Sequence, residues 1–287
     1  HPYRRPGIGN IEELDAATLG DVQAFHRRYY RPDNAILIVA GDFDQNQLDR
    51  WIDKYLGVIS KPSDPIPALA ASEPPRTSSR RIAEHGPSVP LPAVLMTWLI
   101  PPAAHQDSPA LTVAAAILSL GESSRLYQSL VYRQKIAQEA QADADLREDA
   151  GLFIALAVMA SGRSPKSGES ALMSEIAALA RKPVSSAEMT KAKNQIIAGV
   201  LRERETNNGK ASDLGNAIVL FHDPEAVNQM LTRIEGITPG DVQRVVSKYL
   251  VRGKPVIISY TSQKEEAPAS GRSGAEGPAY AAAGGVQ

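Results

Sequence analysis

The 287-residue sequence predicts an α+β fold in two copies, each a mainly antiparallel sheet packed by helices, the first truncated and the second complete. Three observations carry that prediction. A helix–strand signature occurs twice, 220 residues apart; apolar residues switch repeatedly between helical and strand spacing; and a proline-rich stretch separates the two copies. Hydrophobic residues make up 43% of the chain and charged residues 22%, near the globular averages, so a sizeable core is affordable.

Thr18 followed by Asp21 has the spacing of a capping box, and Leu19, Val22, Phe25, His26 and Tyr29 recur behind it at helical intervals. Arg31-Pro32-Asp33-Asn34 ends that helix, because the residue before a proline avoids the helical region and Asp and Asn favour turns. The continuously apolar run Ala35 to Ala40 predicts a buried strand. Gly41 to Asp44 turns the chain into a second helix through Leu48, Trp51, Ile52 and Tyr55. Pro62, Pro65, Pro67, Pro74 and Pro75 then stand in a Ser/Ala-rich context with no apolar period, a semi-extended linker composition.

Beyond it an edge strand is expected around Arg81 to Glu84 and a stronger strand over Ala93 to Ile100. Ser108, with Pro109 at the first helical position, opens an Ala/Leu-rich helix to Leu120 that Gly121 closes. A helix from Ser123 to Lys135 precedes a β-hairpin made of Gln138–Leu146 and Gly151–Ala160. Helices follow over Ser167–Ala180, from Ser185 with a capping box to Glu188, over Lys210–Phe221, and from Asp223-Pro224 to near Gly236. The last ordered unit is a helix Thr238–Tyr249 and a strand Pro255–Tyr260; the Gly/Ala/Ser/Pro-rich tail cannot bury enough apolar surface to fold. The expected division is therefore 1–59 for the trailing part of a first repeat, 60–79 for the linker, 80–262 for a complete second repeat and 263–287 for a disordered tail.

The repeat itself is Thr18-Leu19-Gly20-Asp21-Val22-Gln23 against Thr238-Pro239-Gly240-Asp241-Val242-Gln243, with Tyr29 matching Tyr249 and the strand at Ile36 matching that at Val256. A period this long indicates a duplicated domain rather than a solenoid. The second copy has a whole domain of sequence before its signature and the first does not, so the first copy is expected to lack its N-terminal portion.

Composition excludes several roles. The 31 basic and 32 acidic side chains leave a net charge of -1, without the basic excess that nucleic acid or an anionic membrane surface requires. No apolar run approaches the ~20 residues of a membrane span. With no cysteine, disulfides, thiolate ligands and a cysteine nucleophile are all absent.

The segments His1-Pro2-Tyr3, Gly7-Ile8-Gly9, Thr18–Val22, Phe25–Ala35, Ile38–Asp44 and Gly121–Tyr132 together resemble the insulinase/pitrilysin-type zinc metallopeptidases, including the processing-peptidase branch. That resemblance implies a duplicated metallohydrolase-type domain whose copies close on a peptide chamber. It places zinc in the first domain, on an inverted H-x-x-E-H helix. No such motif is present: the histidines are His1, His26, His85, His105 and His222, no two of them four apart. The nearest imitation, Arg81-Ile82-Ala83-Glu84-His85, begins with a non-ligand and reads as a strand that sends Glu84 and His85 to opposite faces. The resemblance also implies an Arg and a Tyr, seven residues apart, that orient substrate in the non-catalytic domain; here those positions hold Val131 and Gln138. Tyr132 and Arg133 lie close in sequence but would face elsewhere on the helix.

No catalytic, cofactor or metal residue is assigned within this chain. His26 reads as a structural side chain among aromatic neighbours, Arg125 as a surface or capping residue, and Ser123 or Ser124 as a helix cap. Arg202-Glu203-Arg204-Glu205 reads as a solvated face, and Asp143, Asp145, Glu148 and Asp149 as polar positions of an edge strand and turn. The expectation is a non-catalytic C-terminal region of a bacterial zinc peptidase, inactive alone, with zinc held by the parent protein. Its expected partners are a peptide or unfolded polypeptide substrate and the missing N-terminal segment or a homologous subunit, with no nucleic acid. The alternative is a non-enzymatic structural subunit homologous to processing peptidases. The family leads one to expect a periplasmic or membrane-associated setting.

Overall fold

The computed structural model describes residues 2–5, 7–67 and 71–263. Residues 264–287 of the predicted tail, His1 and part of the proline-rich linker lie outside them. Five strands form one sheet in the order β1-β5-β2-β4-β3. These are β1 (Arg80–Gly86), β2 (Ala93–Ile100), β3 (Ala137–Asp145), β4 (Gly151–Met159) and β5 (Val256–Ser262). All pairs are antiparallel except β1 with β5, which run parallel from Arg80 opposite Val256 to Gly86 opposite Ser262. The fold is α+β as the sequence predicts.

Strict alternation along β2 and β4 decides which face is the core. Val94, Met96, Trp98 and Ile100 on β2 point the same way as Phe153, Ala155, Ala157 and Met159 on β4, and all are buried. Helices α4 (Ser108–Ser119) and α5 (Pro165–Arg181) cover this face. The alanines of β4 and of α4 let sheet and helices approach closely, and α4 is buried almost all round, between the sheet, α6 (Ser186–Glu203) and α9 (Pro239–Val245). A Cβ at Gly168 on α5 would stand 2.5 Å from Met159 Sδ and 3.0 Å from Val94 Cγ1. Gly168→Ala is therefore expected to destabilise by about 1–3 kcal/mol through overpacking. A urea unfolding midpoint unchanged from wild type would show that this helix–sheet spacing has slack.

Helix boundaries differ from the sequence reading where side chains cap one turn earlier. Ser164 caps α5 and Thr206 caps α7 (Asn207–Phe221), each accepting from the backbone N–H three residues on. The Ser185/Glu188 capping box of α6 forms as predicted. Ser108 proves to be the first residue of α4 rather than its cap: its hydroxyl donates to Pro102 O, and Asp107 occupies the cap position. The predicted helices ending at Lys135 and Tyr249 contain π-wound turns, Tyr127–Arg133 and Val246–Val251.

The first unit departs most. Helices α1 (Ile11–Ala16), α2 (Leu19–Tyr29) and α3 (Gln45–Tyr55) form, but Ala35 to Ala40 makes no strand; α8 (Ala226–Gly236) packs instead on α4, α6 and α7 of the second unit. The buried strand predicted there is extended chain with Ile36, Leu37 and Val39 exposed. A strand exists only when a neighbour satisfies its backbone groups, and no described residue pairs with this segment. Arg31, buried, instead ties the unit's turn to the linker, donating to Asp33 in a fork and to Pro62 O.

Candidate functional site

Asp107 is the hub of the molecule's buried polar network. It sits fully buried at the start of α4, its carboxylate accepting from Arg244 Nη1 at 2.6 Å, Tyr249 Oη at 2.7 Å and Lys248 Nζ at 3.1 Å. Burial pushes its carboxyl up, but the three donors from α9 and the following π turn outweigh it and hold the pKa at about 2. The lock therefore clamps the signature helix of the second copy onto α4, above the buried Val242, Val245, Val246 and Leu250.

The two capping boxes match in hydrogen-bond partners and distances. Asp21 Oδ2 accepts from Thr18 N at 2.9 Å and Thr18 Oγ1 at 2.6 Å; Asp241 Oδ2 accepts from Thr238 N at 3.0 Å and Thr238 Oγ1 at 2.6 Å. In both copies the threonine hydroxyl is the main cause that keeps the aspartate pKa low. Their surroundings are opposite. Val22, Phe25, Tyr30 and Leu37 are 59%, 58%, 70% and 57% exposed, whereas Val242, Val245 and Leu250 are at 0% and Ile257 at 7%.

Around the position where the resemblance expects an auxiliary Arg and Tyr, Val131 packs half-buried against the core on the first π turn. Gln138 is the extra residue of a β-bulge between Ala137 and Glu139, exposed on the outermost strand β3. Arg125 is engaged rather than free: it forks onto Glu188 at 2.9 and 3.2 Å, and this pairing lowers the Glu188 pKa. Lys191 adds a bond to Ser123 in the same loop. Arg125→Ala is expected to cost about 0.5–1 kcal/mol, the range of a partly exposed pair. Thermal unfolding of R125A and E188Q checks this; the expected result is a small loss in R125A and a larger one in E188Q, whose side chain also serves the Ser185/Glu188 box.

The charge run 202–205 is only partly solvated. Arg204 bridges out of α6 to Asp213 at 2.7 Å and Val227 O at 2.7 Å, joining α6, α7 and the start of α8. The acidic residues do not converge: Asp145 is held by Arg147 and Glu148 faces His222. The histidines are scattered. His26 stacks on Tyr30, His85 bonds Thr261, and His105 accepts from the Asp107 N–H. Among the described residues no group of three or more His, Asp or Glu is placed to hold a metal ion. These residues do not fit the zinc centre that the resemblance implies.

A family model, the peptidase M16 inactive domain, matches residues 16–196, well over half of the chain.

This chain belongs to the peptidase M16 family.

Among its relatives, a zinc protease (PqqE) of Helicobacter pylori is 27% identical over 254 residues, covering 87% of this chain and 56% of the relative. A probable mitochondrial-processing peptidase subunit beta of Arabidopsis thaliana is 23% identical over 93% of this chain and 51% of its own length. The chain thus spans only somewhat more than half of such relatives. Among solved structures, a protease from Helicobacter pylori has a TM-score of 0.85 at 23% identity, covering 91% of this chain and 63% of that one. A peptidase M16 inactive domain from Pseudomonas fluorescens has a TM-score of 0.77 at 19% identity, covering 92% and 62%. These likenesses place the M16 fold.

Sequence reasoning missed Asp107, Arg244 and Lys248. A signal for half of the lock was present, since Tyr249 belongs to the repeated signature. Asp107 stands 142 residues away and carries no local pattern that marks it as the tyrosine's partner.

Proposed function

We propose that this M16 inactive-domain chain is the non-catalytic part of a zinc peptidase, forming one wall of a peptide chamber while hydrolysis belongs to a further segment of the parent protein. The observation that carries the reading is the contrast between the two copies: a finished, buried second unit and a first unit whose matching apolar residues lie open. Strand β3 ends the sheet with no further strand paired to it among the described residues, so it offers an extended peptide an edge, with its polar side chains outward and Gln138 at a bulge. The lack of a paired-histidine motif supports inactivity of the chain alone, and any zinc would be held by residues outside it.

A peptidase assay on the purified chain with added zinc is expected to give no turnover above buffer. Turnover that a chelator abolishes would overturn the proposal. The relation to a processing-peptidase subunit favours a second reading, a structural subunit that assembles with a homologous chain. The coding sequence upstream of His1 separates the two: an H-x-x-E-H there supports the peptidase, its absence the subunit. No helix among the described residues is long and apolar enough to cross a membrane.

A further inference from the structure

We infer that Arg28 and Tyr29 form a receptor for a carboxylate at the start of an apolar helix, on a unit that also flanks residues 36–40 with two strands. This rests on the proposed completion of the first unit by further sequence, and it specifies how that completion is recognised. With the 220-residue offset, Lys248 and Tyr249 correspond to Arg28 and Tyr29. In the second copy these two side chains grip Asp107, and the helix that Asp107 begins is the one lying over the signature helix. In the first copy neither Arg28 nor Tyr29 has a side-chain hydrogen bond or ion pair among the described residues, and both belong to a helix whose apolar side chains are exposed. Ala24 stands where Arg244 supplies the third donor. The guanidinium of Arg28 offsets that loss, because its planar fork can bind both carboxylate oxygens where a lysine offers a point charge. His26 and Arg27 beside it leave this end of α2 basic, complementary to an acidic group.

The strand geometry defines the rest of the occupant. Val256–Ser262 lies between the parallel β1 and the antiparallel β2. Its counterpart at 36–40 is extended with both edges unpaired among the described residues. One face of the segment, as distinct from its two backbone edges, is in contact: Ile38 rests near Gly215 on α7, with its Cδ1 3.5 Å from where a Cβ would be. The occupant is therefore a unit built like residues 80–120 of this chain, supplying one parallel strand, one antiparallel strand and an Asp or Glu that opens an apolar helix. Its source is the polypeptide encoded upstream of His1.

The experiment compares the intact parent protein with the 287-residue chain. Hydrogen exchange at the amides of 36–40 is expected to be fast in the short chain and protected in the parent. Arg28→Glu is expected to shift the unfolding equilibrium of the parent by roughly 30-fold, and Tyr29→Phe by about 5-fold, while neither changes the short chain. Reversing the charge of the parent's helix-start carboxylate to Lys should restore part of the R28E loss. Protection of 36–40 with R28E and Y29F indistinguishable from wild type in the parent would overturn the receptor and leave the completing unit standing. Equal exchange in parent and short chain, or a parent with no upstream sequence, would overturn both.

Discussion

Asp107→Ala is expected to destabilise the second unit by about 3 kcal/mol, the lower end of the range for breaking a buried charge network. The lower end applies because Arg244 and Lys248 are about half exposed and can turn to water, while the hydroxyl of Tyr249 loses its acceptor in a half-buried setting. The network also makes stability depend on pH. The carboxyl titrates near 3.8 when unfolded and at about 2 when folded, so its folded pKa is depressed. Its contribution is fully present above about pH 5 and is lost as pH falls through 4 toward 2. That shift corresponds to about 2 kcal/mol. Urea unfolding of wild type and Asp107→Ala at pH 6 and at pH 2 tests both statements. The gap between the two proteins should be wide at pH 6 and narrow at pH 2; parallel curves at a constant separation would show that the carboxylate charge contributes nothing.

Trp98→Ala should cost about 4 kcal/mol, since it removes the largest fully buried side chain of β2 and leaves a cavity. Trp98 meets Phe153 edge to face, with ring centroids 6.3 Å apart, directly across the β2–β4 pair. Its Nε1–H has no acceptor among the described residues, so its value here is shape and apolar area rather than hydrogen bonding. Trp98→Phe is accordingly expected to cost about 1–2 kcal/mol, the price of a smaller ring in a site made for an indole. If W98F were as damaging as W98A, the indole would have to be making a polar interaction that this packing does not provide.

Much of the second unit was legible because its cues are local. The capping pairs Thr238/Asp241 and Ser185/Glu188, the alternation of β2 and β4 and the apolar run of α4 each act over a few residues, and each gives the element expected. The strand at 35–40 failed for the complementary reason. Its composition is that of a buried strand, but pairing is a property of two segments, and no described segment stands beside it. The reading of Arg125 as a surface or capping residue and of Arg204 as a solvated one missed contacts with Glu188 and Asp213, 63 and 9 residues away. Nothing in the neighbouring sequence of an arginine announces a carboxylate on another helix.

Composition and spacing were enough to set the α+β class and the family resemblance, because those depend on periodicity along one chain, and the repeated Thr–Gly–Asp–Val signature led to the expectation of a duplication. Packing alone selected Asp107 as the partner of Tyr249, Arg244 and Lys248, put a bulge at Gln138 and left one copy of the signature helix buried and the other bare. Such outcomes depend on which distant groups meet in a medium where an unmatched charge or an unpaired backbone is costly.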